Sequence, residues 1–186
     1  MDATPDLTAL LPSWELHLRA ERKSGQTVRL YLTGVRAYLR WCAEQGRPVV
    51  LDRAQAVAFI AQLLDEQGLE AATARARHLA LRRFAAWLVD EGELDRDPLV
   101  GMRPPKLDDK VVAVLSTAQC KALLRACEGK GFRDRRDEAL VRLLLETGLR
   151  AGEAIALETT DVDLADGVLL VARGKGGKGR LVPFGA

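Results

Sequence analysis

The sequence predicts a mainly α-helical chain that ends in a small antiparallel β-sheet. Three observations lead there. Four successive segments repeat apolar residues at helical spacing, a proline-rich charged break falls near residue 104, and beyond two more helical segments short apolar runs alternate with glycine turns. The 186 residues, 48% hydrophobic and 29% charged, suffice for one domain or two small ones and for a sizeable core. With 28 Lys+Arg against 26 Asp+Glu, the net charge of +2 is too small and the apolar share too high for a disordered chain.

A first helix is expected from Asp6 to about Lys23, periodic in Leu7, Leu10, Leu11, Trp14 and Leu18 and broken by Ser24-Gly25. A second runs from about Gln26 to Gln45 and stops at Gly46-Arg47-Pro48. Asp52 and Gln55 have the spacing of a capping box and open a third, through Ala56, Phe59, Ile60, Leu63 and Leu64 to Gly68. A fourth spans about Glu70 to Glu91 and ends at Gly92. Residues 96–110 are rich in proline and charge and suit neither helix nor central strand, so we place one domain at 1–103, a linker at 104–110 and a second region at 111–186. There, Ser116 and Gln119 form another capping box before Ala122, Leu123, Leu124 and Cys127, and a further helix over about Arg133 to Thr147 is capped by Gly148. A short helix, Ala151 to Leu157, is followed by strands at Val162, Val168–Val171 and Leu181-Val182, joined by Asp166-Gly167 and by the glycine run at 174–179 as two hairpins.

No apolar run approaches the roughly 20 residues of a membrane helix, and the start Met1-Asp2-Ala3-Thr4-Pro5 lacks a signal-peptide layout, so a soluble, cytoplasmic protein without a membrane partner is expected. Cys42, Cys120 and Cys127 lack metal-ligand spacing and read as buried free thiols; no metal or cofactor is expected. His17 and His78 are lone helical histidines, read as surface or packing residues. Arginine outnumbers lysine 21 to 7, which suits phosphate recognition and equally suits a GC-rich genome, so position has to decide.

Position offers two stripes. In the second helix Val28, Tyr31, Val35, Tyr38, Leu39 and Cys42 form the core face, and Arg29, Arg36 and Arg40 cluster roughly 100–140° from it. In the fourth, Leu81, Phe84, Ala85 and Leu88 face the core, with Arg75 and Arg82 roughly 100–120° away in the same sense. Each stripe reads either as a track for phosphates or as a solvated face whose Arg stems cover apolar neighbours.

The chemistry-bearing residues lie further on. Thr147-Gly148-Leu149-Arg150-Ala151-Gly152-Glu153 sets an arginine just past a glycine helix end, with a carboxylate three residues later that could orient it. The segment Arg173-Gly174-Lys175-Gly176-Gly177-Lys178-Gly179-Arg180 offers cations on a backbone that can approach a phosphate closely. It is not a Walker A loop, because no Ser or Thr follows a Gly-Lys.

These two segments, in this order, closely resemble the first half of the catalytic domain of tyrosine site-specific recombinases, the integrases and Xer-type enzymes. The helix over His78–Gly92 with the following Asp97-Pro98-Leu99 and Pro104-Pro105-Lys106-Leu107 is similar to the end of that family's helical, SAM-like core-binding domain and its linker. The resemblance implies an α+β catalytic region after a core-binding domain, the two gripping opposite sides of double-stranded DNA, with the Arg stripes facing it. It implies site-specific DNA strand breakage and rejoining in which Arg150 binds the scissile phosphate, Glu153 holds Arg150, and Lys175 is the general acid for the leaving 5′-oxygen. Lys178 and Arg180 are expected on backbone phosphates.

The family's His-x-x-Arg box, further His or Trp and nucleophilic tyrosine fall in the part of its catalytic domain that follows the motifs matched here. Only Tyr31 and Tyr38 are present, both on the expected core face of the second helix, so the chain is expected to bind DNA without cleaving it, other recombinase protomers being possible partners on DNA. A truncated catalytic region is expected to leave apolar surface at Leu140–Leu145 and on the sheet uncovered, favouring self-association. Two rival readings stay open: a non-catalytic DNA-binding accessory or decoy of a full-length recombinase, and a helical interaction module whose arginines only solubilise it.

Overall fold

A computed structural model describes residues 5–108, 111–172 and 179–185. The chain divides into two compact units, residues 1–110 and 111–186.

The first unit is built from α1 (Leu11–Ala20), α2 (Gly25–Glu44), α3 (Arg53–Asp65) and α4 (Ala71–Asp90). The first helix starts five residues later than the sequence suggests. Asp6 instead accepts the backbone N–H groups of Thr8 and Ala9 in a tight turn, and a helix begun at Asp6 would put Pro12 in its interior, where the ring clashes with the preceding turn. Ser24 caps α2 by accepting the Thr27 N–H, and Asp52 caps α3 by accepting that of Gln55. Helices α2 and α4 cross at Gly34, where an added Cβ would overlap the Ala80 Cβ. The two small residues let the helices approach, and the aromatic side chains close around the crossing: Trp14 stacks on Tyr31 and tilts against Phe84, and Tyr38 meets Phe59 edge to face.

All three tryptophans and both tyrosines are buried in this core. His78 is buried too, and its Nε2–H donates to the Met102 carbonyl at 3.1 Å, with burial lowering its pKa. The proline-rich stretch lies on the helices of this unit: Arg53 donates to the Val100 carbonyl, and Arg75 reaches the Pro105 carbonyl at 3.4 Å.

The second unit holds α5 (Thr117–Ala126), α6 (Phe132–Thr147), α7 (Ala151–Ile155), a 3₁₀ turn (Thr159–Asp161) and strands β1 (Val162–Asp163), β2 (Val168–Val171) and β3 (Arg180–Pro183). Ser116 and Gln119 cap α5 reciprocally, as their spacing suggests. The sheet is antiparallel in the order β1-β2-β3, with Leu169 opposite both Val162 and Val182. Leu169 and Val171 of β2 are buried together with Leu149, while Leu170 between them is exposed, the alternation of a strand covered on one face. Of the three cysteines only Cys42 is buried; Cys120 and Cys127 are half-buried, because no residue of α5 is fully covered.

Candidate active site

Arg150 owes its place to the end of α6. Gly148 takes the left-handed conformation, φ 62°, and its N–H closes the helix on the Leu144 carbonyl. Leu149 then turns into the sheet's apolar cluster, which leaves Arg150 as the extended residue preceding α7. Its backbone N–H donates to Glu153 Oε2 at 3.0 Å and its Nη1 to Glu153 Oε1 at 2.9 Å. The pairing expected from the three-residue spacing is present.

A second arginine meets the same carboxylate. Arg180, the first residue of β3 and opposite Val171 of β2, donates through Nη1 to Glu153 Oε1 at 3.0 Å and through Nη2 to Oε2 at 2.8 Å. The family resemblance implies a phosphate contact for Arg180; in the structure its fork is engaged bidentately by Glu153. The Glu153 side chain is only 6% exposed, whereas those of Arg150 and Arg180 are 62% and 39% exposed. Hydrogen bonding from Arg180, then from the Arg150 backbone N–H, brings the Glu153 carboxyl down to about 2, and Glu153 in turn raises the Arg180 pKa. The cluster is thus one buried carboxylate between two guanidiniums, with one positive charge in excess beside the Arg150 fork. A pocket bordered by Glu153, Leu157, Glu158, Asp161 and Leu170 adjoins it, but its further carboxylates make it a poor seat for phosphate.

Lys175 and Lys178 lie outside the described residues, as does the tip of their hairpin; β2 and β3 lead into and out of it.

In the first unit, Arg29, Arg36 and Arg40 are exposed along one side of α2, joined there by Thr33, and none has an ion pair among the described residues. Arg82 does not share that freedom. It is half-buried, bridging to Asp97 at 3.0 Å and donating to the Leu99 carbonyl, while Asp97 also accepts the Leu99 N–H. Helical periodicity sets Arg82 in a stripe that reads either as a phosphate track or as a solvated face; in the structure a partner fifteen residues downstream holds its fork. Sequence reasoning passes over Arg77, whose stem packs beside Gly34 of α2. Tyr31 and Tyr38 are buried as expected, and Tyr38 donates to the Val50 carbonyl at 2.8 Å, with burial pushing its pKa up.

Comparison with known proteins agrees with the mainly helical fold and its small sheet. The family model described as "Phage integrase, N-terminal SAM-like domain" matches residues 11–92, and that of the "Phage integrase family" matches residues 113–186. The chain is similar to tyrosine recombinase XerC of Pseudomonas fluorescens, 36% identical over 91% of this chain and 57% of that protein. It is also similar to tyrosine recombinase XerD of Ralstonia nicotianae, 36% identical over 86% of this chain and 52% of that protein. The chain thus spans about half the length of the curated relatives it matches. Its fold is like that of a lambda integrase (75-356) dimer bound to a COC′ core site, with TM-score 0.71 and 21% identity over 95% of this chain and 62% of that one. It is also like that of the Tn1549 transposon integrase in complex with circular intermediate DNA, with TM-score 0.64 and 19% identity over 95% of this chain and 60% of that one. No helix among the described residues is long and apolar enough to cross a membrane. With the SAM-like module matched on the first unit, the integrase family matched on the second, and Xer recombinases aligned along most of the chain, this protein belongs to the tyrosine recombinase family.

Proposed function

We propose that this chain grips duplex DNA and supplies part of the active site for site-specific recombination, the nucleophile coming from outside its 186 residues. The observation that supports this best is Arg150, seated against α7 by Glu153 with most of its fork open. A planar, permanently charged guanidinium in that state can bind two non-bridging oxygens of one phosphate and oppose the negative charge that builds as the phosphorus is attacked. Lys175, carried on the hairpin between β2 and β3, is the proton donor for the leaving 5′-oxygen, and Lys178 is a backbone contact. Along α2, the exposed Arg29, Arg36 and Arg40 are spaced about 1.5 Å per residue along the helix axis, a row suited to a phosphate backbone. Arg75 of α4 extends that set, its 3.4 Å bond to the Pro105 carbonyl being easily exchanged. Lambda integrase is known as a dimer on a core site and as a tetramer on a Holliday junction, and we assign this chain the same kind of partners, duplex DNA and further recombinase protomers.

The test is binding of a nicked duplex across a salt series, with a denaturing gel to detect covalent adducts. Binding should weaken steeply with salt, and the combined variant R29A/R36A/R40A should lower the log–log slope by about 0.9 for each phosphate that is no longer neutralised. No adduct should form, since Tyr31 and Tyr38 are both buried. A covalent adduct, or a slope untouched by the triple substitution, would refute the corresponding half of the reading.

A further inference from the structure

We propose that Arg180 is a positioning residue: by occupying Glu153 from the sheet side it leaves the Arg150 fork open for phosphate, and it does not itself grip DNA. The inference rests on the reading of Arg150 as the phosphate contact.

Donor accounting carries it. A guanidinium has five N–H donors. Arg180 commits both terminal nitrogens to the carboxylate, one to each oxygen, at 3.0 and 2.8 Å. Arg150 commits one side-chain nitrogen, at 2.9 Å, and adds its backbone N–H. Exposure follows the same order, 39% for Arg180 against 62% for Arg150.

Glu153 explains why the division matters. A carboxylate this well buried needs its lone pairs satisfied, and leaving it short of partners is costly. Among the described residues Arg150 is the other guanidinium on Glu153, and without Arg180 the remainder of its fork can fill the vacated positions. Arg150 would then turn inward and close on Glu153, and the phosphate would lose its ligand. The pair also ties the start of β3 to the first turn of α7, so Arg150 and the base of the hairpin that carries Lys175 share one anchor.

The test uses the 186-residue chain, a mixed-sequence duplex, and the variants R150A, R180Q, R180K, R150A/R180Q and R150A/R180K, with ¹³C NMR titration of the Glu153 carboxyl on the same proteins. R180Q should weaken binding as much as R150A does and lower the salt slope by the same single step of about 0.9. The double variant R150A/R180Q should be no weaker than R150A alone. The Glu153 midpoint should rise from about 2 in R180Q, and R180K, which keeps the charge but not the two-point fork, should recover part of both effects. Should R180Q destabilise the sheet, R180K alone decides, because its loss of affinity must vanish in an R150A background. A double variant that loses a second step of salt slope makes Arg180 a phosphate contact and overturns the inference, as does R180Q binding like the unmodified chain while R150A is weakened. Normal binding by R150A would instead remove the reading of Arg150 on which the inference stands.

Discussion

The two units keep very different amounts of apolar surface from water. Among the described residues of the first, twenty-five buried hydrophobic side chains from all four helices and the loops around them make one cluster. Among those of the second, the buried cluster is Leu149, Leu169 and Val171, and no residue of α5 or α6 is fully covered. Both units contain helices with a clear apolar face, so the difference lies in what packs against that face rather than in how it is written. The first unit is held by aromatic and aliphatic interdigitation. The second positions its key side chains through a capped turn, a sheet ladder and a shared carboxylate.

The largest expected effect that would sharpen this contrast is Phe84→Ala in the first core, which should cost about 3–5 kcal/mol by urea unfolding followed by far-UV circular dichroism. Leu145→Ala in α6, at a side chain 45% exposed, should cost under about 1 kcal/mol in the same experiment. Equal losses would show that α6 is packed as tightly as the first core and would break the comparison. Next in size, Gly34→Ala forces a methyl group into Ala80 at the α2–α4 crossing and should cost about 1–3 kcal/mol in calorimetry. A neutral result would mean the helices can slide apart without loss. The most local effect is on acid stability. Because the folded Glu153 carboxyl lies below the usual value of 4.5, at about 2, its contribution is fully present above about pH 4.5 and disappears as pH falls through about 2. Amide signals of α7 and β3 should therefore weaken in that window in the unmodified chain and should not do so in E153Q. Loss in both chains alike would detach acid sensitivity from the clasp.

What the sequence discloses depends on the range of the interaction. The limits of α2 and α4, the Ser116–Gln119 box and the glycine end of α6 are written within a few residues, in side chains that compete for backbone groups, and each is legible. The Arg150–Glu153 pair is legible for the same reason, being one helical turn long. The ion pairs of Arg82 and Arg180 are not legible because their partners, Asp97 and Glu153, come from fifteen and twenty-seven residues away, and no periodicity announces an ion pair formed by tertiary folding. Helix α1 is overextended because apolar spacing at Leu7 and Leu10 outweighs the proline at position 12, although Leu7 is buried all the same. The thiols of Cys120 and Cys127 read as buried because their spacing supplies a shared face, and spacing says nothing about whether that face is covered.

The placement of the aromatic residues has an optical consequence. Trp14, Trp41 and Trp87, with Tyr31 and Tyr38, all lie in the first unit's core, and the second unit has only phenylalanines at 132 and 184. Absorbance at 280 nm and tryptophan fluorescence therefore watch one half of this molecule and are blind to the other. A fluorescence melt reports the helical unit alone, however the arginine clasp behaves. A tryptophan introduced at Phe184, which packs against the sheet's apolar cluster, would give the silent half a signal of its own.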